Sequence, residues 1–284
     1  MDPVAVVTRS GGAMRRADAL AGGATRHGID AALGAGRLIL VNRGVLAVPG
    51  LSEERLEAAR LRCRLTCVSA IAAEGLPMVP RTRVLHLAVA TRGRAPAGGP
   101  ARCVHYSHAC GRSLAPMPVP IALDHAGRCV SDRAQLAMLD AALRAGRVAG
   151  GDLAAWTVTP ERRRRWLLAH CDPRAESAQE SLARIDLVEA GLSVVPQVYL
   201  DGAGRADLLV EGRLALEIDG RAFHEGDDPF TRDRRRDRAV LKGGILTARF
   251  TAAEVERAGP GVVAAAVRDM LAAHVGTGRS IVLP

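Results

Sequence analysis

Arg205-Ala-Asp207-Leu-Leu-Val210, followed by Glu211-Gly212-Arg213 and Leu214-Ala-Leu-Glu217-Ile-Asp219-Gly220, is the stretch on which the reading of this chain turns. Two apolar runs of strand length bracket a short polar turn, which is a hairpin signal. Both runs carry acids. If residues 211–213 form a three-residue loop, Asp207 pairs directly across from Glu217, and cross-strand partners share a face. Strict alternation adds Asp219 to that face. Three carboxylates meeting at one spot repel unless a cation stands between them, and hard oxygen donors of this kind suit Mg²⁺ or Mn²⁺. A two-residue loop slips the register by one and sends Asp207 to the opposite face from Glu217. The alternative is an amphipathic hairpin with its acids in solvent. Against that, Ala206, Leu208, Leu209 and the run from Leu214 to Ile218 surround the acids with apolar neighbours. An unpaired acid in such a run is costly.

The flanks extend the pattern. Upstream, a helix contains Glu180, Ser181 and Arg184, with Leu182, Ile185 and Val188 suited to its buried side, and Gly191 ends it. Val194–Leu200 reads as a strand. Downstream come Phe223-His224 and then Asp233-Arg-Arg-Arg-Asp237 on a helix. His224 is either a surface imidazole or, just beyond the acidic strand, a group able to move a proton near neutral pH. Asp233 and Asp237 lie one turn apart and suit the orientation of neighbouring arginines, so Arg234 and Arg236 are candidate phosphate contacts. Ile245–Phe250 reads as a further strand, and one last helix runs from Thr251 into Met270.

The order Glu180-Ser-x-x-Arg184, Asp207, Glu217-Ile-Asp219-Gly220, Phe223-His224, Asp233…Arg236-Asp237, Arg249-Phe250 resembles the very-short-patch-repair-like branch of the PD-(D/E)xK nuclease superfamily, over about residues 174–258. The resemblance implies a restriction-endonuclease-like α/β core and a Mg²⁺-dependent endodeoxyribonuclease. It implies Asp207 as the central metal-binding aspartate, with Glu217 and Asp219 on the second acidic strand. Glu180 would be the helix acid that orients water, and His224 the proton-transfer group. One departure matters: the superfamily's lysine falls where Asp219 stands, and Lys242 is the only lysine in the chain. The histidine-containing branch lacks that lysine too. The departure also motivates a second expectation, a non-catalytic DNA-binding regulator that keeps a degenerate nuclease domain.

The first fifty residues read as a winged helix-turn-helix. Ala13–Ala21 is a short helical stretch and Thr25 is an N-cap for a second helix through Ile29, Ala32 and Leu33. Asn42-Arg43-Gly44 turns a hairpin between Leu38–Val41 and Val45–Val48. Arg15, Arg16, Arg26 and Arg43 are candidate DNA contacts, and the alternative is a winged helix used for protein contact. Residues 51–160 form a mixed α/β middle segment. In it Ser52 opens a helix towards Cys67, Val84–Ala90 and Ala101–His105 are strands, and Ser131 caps a helix that stops near Gly146. Residues 161–173 are an arginine-rich linker, whose Arg162–Arg165 run reads as a solvated face or a phosphate patch. Residues 174–284 form the nuclease-like domain. The front half, through Thr25-Arg26, Arg43-Gly44-Val45, Leu65-Thr66-Cys67-Val68-Ser69-Ala70 and Asp140-Ala141-Ala142-Leu143, resembles abortive-infection AbiEi-type antitoxins. That resemblance implies DNA as a partner and a protein partner from a toxin–antitoxin-like system.

Composition bounds these readings. The chain has 284 residues and 39 Lys+Arg against 30 Asp+Glu, a formal net charge of +9 that favours an anionic partner. Aromatic residues make up 2%, which excludes a binder of single strands by rows of stacked rings. No apolar run reaches the ~18 residues that a membrane helix needs. The start of the chain lacks a basic region followed by an apolar stretch, so no signal peptide is expected and a reducing cytoplasm fits the six scattered cysteines. Cys103, His105, His108 and Cys110 lie close in sequence and Cys63 and Cys67 are four apart, but the spacing matches no strong zinc pattern. Buried cysteines and a strand-end histidine are the plainer expectation.

Overall fold

Short polar side chains start six of the described helices. The computed structural model describes residues 1–77, 83–97, 101–201, 204–219 and 245–273. It is mixed α/β, with three small sheets and no barrel among these residues. It divides into two compact units, Met1–Val130 with Arg147–Arg164, and Ser131–Gly146 with Arg165–Pro284. Among the described residues no helix is long and apolar enough to cross a membrane.

The first unit opens with α1 (Pro3–Arg9), β1 (Ala13–Arg15), α2 (Arg16–Ala21), α3 (Arg26–Gly34), β2 (Ile39–Asn42) and β3 (Val45–Ala47). Asp2 accepts the Val4 N–H and Pro3 supplies a preset φ, which starts a helix absent from the reading above. Thr25 Oγ1 accepts the Gly28 N–H at 3.0 Å and starts α3 at the expected place. The helix expected over 13–21 is shortened. Gly11 and Gly12, at φ +90 and +83, turn the chain out of α1, and Ala13–Arg15 then pairs antiparallel with β3 before α2 begins. Ladder hydrogen bonds override helix propensity there. The sheet order is β1-β3-β2. Val7, Ile29, Ala32, Leu38 and Leu46 form the core beneath it.

The unit continues with α4 (Glu53–Arg60), β4 (Arg64–Leu65), α5 (Cys67–Ala73), β5 (Leu85–Ala90), β6 (Arg102–Ser107) and α6 (Val119–Ala126). β5 is parallel to β6 and antiparallel to β4. The helix expected to run from Ser52 towards Cys67 stops at Arg60, and Arg62 takes a left-handed φ of 56. Cys63 and Cys67 therefore do not share a helical turn. The arginine run is not a uniformly solvated face either. Arg163 donates to the carbonyls of Gly127 and Val130, and Arg164 to that of Trp156.

The second unit holds α7 (Asp132–Arg144), the end of α8 (Glu161–His170), α9 (Ala178–Glu189), β7 (Val194–Leu200), β8 (Gly204–Val210), β9 (Leu214–Asp219), β10 (Leu246–Thr251), α10 (Ala252–Arg257) and α11 (Val262–Ala273). The sheet order is β10-β9-β8-β7, antiparallel except for β10, which runs parallel to β9. Val210 pairs with Leu214 and Leu208 with Leu216, so 211–213 is a three-residue loop. Leu187 of α9 packs with Leu208, Val210, Leu216 and Val267 in the core. The single last helix of the sequence reading is two helices, because Gly259-Pro260-Gly261 interrupts it and a proline cannot continue the backbone ladder.

Helix α9 buries charge. Leu182 and Val188, expected on its buried side, are only half-buried, whereas Glu180, Ser181, Arg184 and Asp186 are buried beside Ile185. Asp140 of α7 accepts from Ser181 Oγ at 2.8 Å, Arg184 Nη2 at 2.9 Å and the Asp172 N–H at 2.7 Å. Asp186 accepts from Arg133 at 2.5 Å and from the N–H groups of Gly261 and Ala264 at the start of α11. Asp140→Ala strands the Arg184 guanidinium, whose side chain is 7% exposed. Breaking a buried pair from one side costs about 3–5 kcal/mol. Urea denaturation of Asp140→Ala is expected to show that loss as a lower midpoint with an unchanged slope.

Candidate functional site

Gln197 sits in the middle of β7 with φ 56, a conformation rare for a residue with a side chain. Pro196 pairs with Leu208 and Val198 with Ala206, so Gln197 faces Asp207. Both strands change face at this point. On β7, Val194 packs on the α9 side, while Val198 and Leu200 belong to the opposite cluster. On β8, Leu208 and Val210 lie on the α9 side, and Ala206 joins the opposite cluster. Backbone irregularities of this kind concentrate at working sites, where surrounding structure holds the strain. The clue in the sequence was a lone amide inside the apolar run Val194–Leu200, and sequence reasoning passed over it.

The irregular position brings α9 to the sheet. Ser177 Oγ accepts the Glu180 N–H at 3.1 Å and fixes Glu180 in the first turn. Glu180 Oε2 accepts the Glu176 N–H and the Gln197 amide, both at 2.8 Å. Burial raises the proton affinity of Glu180 and the nearby Asp207 charge raises it further, while the donated hydrogen bonds pull the other way without cancelling the rise. Asp207 Oδ2 accepts the Ile218 N–H at 2.8 Å, just past the Leu208–Leu216 pair where the β8–β9 ladder ends. A side chain thus takes over a ladder bond. Glu217, 13% exposed, stands beside Arg249 across the β9–β10 pair, with Oε2 and Nε 3.7 Å apart. Asp219 is exposed at the end of β9.

The three-residue loop and register follow the first of the two alternatives, but the convergence argued from them does not. It assumed unbroken alternation, and the pleat changes face at Asp207. Among the described residues, Asp207, Glu217 and Asp219 do not form a group of three ligands close enough for one ion. The site as described is Glu180, Gln197 and Asp207, with the Glu217–Arg249 pair on the neighbouring strands. His224, Arg234 and Arg236 lie outside the described residues.

A different group does close up. One ligand atom from each of Cys67, His86, His105 and Cys129 lies within 4.8 Å of the other three, a cluster able to hold a metal ion. A Cys/His donor set suits Mg²⁺ poorly, since that ion takes oxygen. Burial, with the charges of His125 and His86, holds the His105 imidazole down at about 4, so it is neutral at pH 7. Of the six residues weighed from sequence, Cys67 and His105 belong to the group and Cys103 stands beside His105. Cys110 instead points its thiol at the Ala88 carbonyl. His86 and Cys129 were missed because tens of residues separate the four ligands along the chain.

Of the candidate DNA contacts, Arg26 is exposed at the first residue of α3 and Arg43 is exposed in the β2–β3 turn. Arg15 and Arg16 are half-buried, and Arg16 is paired with Asp30 at 2.6 Å. The chain matches no protein-family model and no curated protein.

A group whose proton affinity is higher folded than unfolded stabilises below its unfolded pKa and loses that contribution as pH rises through the folded value. Glu180, raised from its ordinary value near 4.5, is therefore destabilising when ionised. Glu180→Gln keeps an oxygen for both donors without the charge. Its thermal midpoint is expected above wild type at pH 7, with the difference vanishing below about pH 4.5. An equal difference at both pH values would show that the charge is not the cause.

Proposed function

We propose that this protein binds DNA through its first unit and hydrolyses phosphodiester bonds at the Glu180–Asp207–Glu217 site, in the manner of the very-short-patch-repair-like nucleases it resembles. The observation that carries the reading is a helix acid and a strand acid drawn together at a strained break in the pleat. The strand order β10-β9-β8-β7, with a parallel β10 at the edge, supports a restriction-endonuclease-like core.

The donor set fits a hard cation. Mg²⁺ is commonly held by one or two carboxylates and keeps several waters, so it needs no cage of three. Asp207 and Glu217 would hold it, with Asp219 at the exposed end of the same strand. When bound, such an ion makes a neighbouring water more acidic and offsets charge on the phosphate. The chain's own groups do the positioning. Gln197 fixes one oxygen of Glu180, and Glu180, with its raised proton affinity, is suited to hold or accept a proton from water. Arg249 steadies Glu217. His224 is the proposed proton-transfer group for the departing oxygen.

Supercoiled plasmid should be nicked by the purified chain with Mg²⁺ or Mn²⁺, and Asp207→Asn is expected to lower the rate by ~10²-fold or more, the loss of several kcal/mol of charge stabilisation. Equal residual cleavage by wild type and Asp207→Asn would overturn the catalytic reading.

One observation favours a second reading. The described acids do not close on one point, as a degenerate site in a DNA-binding regulator need not. The three-stranded sheet with α1–α3 supports a winged helix in either case. Arg26→Ala and Arg43→Ala are each expected to weaken DNA binding across sequences and to reduce the slope of log K against log salt by about 1. Arg16→Ala should change the slope less, because Asp30 already shares that charge. Fluorescence anisotropy over a salt series measures both, and unchanged slopes in Arg26→Ala and Arg43→Ala would remove the first unit from the interface.

A further inference from the structure

We propose that Cys67, His86, His105 and Cys129 bind one structural Zn²⁺ in the first unit. The site is separate from the acids of the second unit and does not rest on their reading.

Around one ion with Zn–N of about 2.0–2.1 Å and Zn–S of about 2.3 Å, tetrahedral donors stand roughly 3.3 Å apart for two nitrogens and roughly 3.6 Å for sulfur and nitrogen. His86 Nδ1 lies 3.3 Å from His105 Nε2, and Cys129 Sγ lies 3.7 Å from the same nitrogen. All four ligand atoms fall within 4.8 Å of one another. That spacing is set for a single ion. A two-iron cluster with two cysteines and two histidines places them on different irons, with the metals between.

The fold builds the site from separate elements. In the parallel β5–β6 pair, His86 is opposite Cys103 and Ala88 opposite His105, so the two histidines lie diagonally on one face. Cys67 is the first residue of α5 and holds a left-handed φ of 51, which costs energy for a cysteine. Cys129 follows α6 and is the most exposed of the four, which leaves a way in for the ion. Two supports lie behind the ligands. The His125 ring stacks on His105 with centroids 5.2 Å apart and planes at 7°, and His125 Nδ1 is 2.7 Å from Thr66 Oγ1, next to Cys67. Neighbours of this kind orient metal ligands.

The chemistry selects the metal. Two cysteine sulfurs and two imidazoles in a tetrahedron suit Zn²⁺, and four protein donors leave no open position, as in structural sites. Binding displaces the protons of Cys67 and Cys129 to solvent and leaves two thiolates on the ion, with no electron transferred. Because the ligands come from α5, β5, β6 and the segment after α6, the ion ties together four separate parts of the first unit. Cys103 Sγ stands 3.5 Å from His105 Nε2 and 3.6 Å from Cys129 Sγ, but it is outside the four whose ligand atoms all lie within 4.8 Å of one another, so it is assigned as a neighbour of the site.

The full chain, purified in reducing buffer with zinc supplied, should carry one Zn²⁺ by elemental analysis. Exchange for Co²⁺ should give the intense visible bands of a tetrahedral site together with a sulfur-to-cobalt charge-transfer band. Cys67→Ser and His105→Ala should each lose the ion, while Cys103→Ser and Asp207→Asn keep it. Chelation should lower the thermal midpoint of wild type. The cobalt spectrum is read on wild type, so it stands even if a ligand variant fails to fold. A weak octahedral cobalt spectrum without the sulfur band would overturn the proposal. So would zinc well below one per chain, or loss of the ion in Cys103→Ser with retention in Cys67→Ser. Retention of zinc in Asp207→Asn alongside lost nicking separates this site from the catalytic reading.

Discussion

The second unit depends on one constraint, that the polar side chains buried on α9 must each find a partner. Glu180, Ser181, Arg184 and Asp186 lie within seven consecutive positions of a twelve-residue helix. A buried polar group without a partner is expensive, so each one dictates a neighbour. Ser181 and Arg184 demand the Asp140 carboxylate and so place α7. Asp186 demands donors and finds them in Arg133 and the first N–H groups of α11. Glu180 demands donors from the sheet and finds Gln197. The helix is thus oriented by polar satisfaction as much as by the apolar contacts of Leu187. Glu180 also stands beside a second acid, Asp207.

That division separates two roles within one short motif. In Glu180-Ser-x-x-Arg184 the glutamate faces the strand break, while the serine and arginine are spent inside on Asp140. Arg184 is therefore a packing residue of this chain. The cost is concentrated at Glu180, whose charge is disfavoured by burial and by Asp207. Gln197 in a left-handed conformation adds to it.

Much of the architecture was legible. Helix starts at Thr25, Ser52 and Ser131 follow from hydroxyl caps, and the strands from Val194 to Asp219 follow from apolar runs and one three-residue loop. The errors share a cause. Residues 13–15, the stretch from Arg60 to Cys67 and the break at Pro260 were all read as continuous helix from local spacing, and non-local pairing or a backbone constraint decided otherwise. The site was half legible. Asp207 and Glu217 sit in the register expected, but the deduced convergence needed a regular pleat. The face change at Gln197 and Asp207 is a property of two paired strands that neither shows alone.

By itself, then, the sequence determined the caps, the hairpin register, the acids inside apolar strands and the excess of arginine, because each depends on residues a few positions apart. Only the tertiary structure decided which acids stand together, since that turns on one backbone torsion and on where α9 lies against the sheet. It also decided that Cys67, His86, His105 and Cys129 meet. Their spacing of about twenty residues matches no local motif, and the parallel pairing of β5 with β6 is what closes the distance.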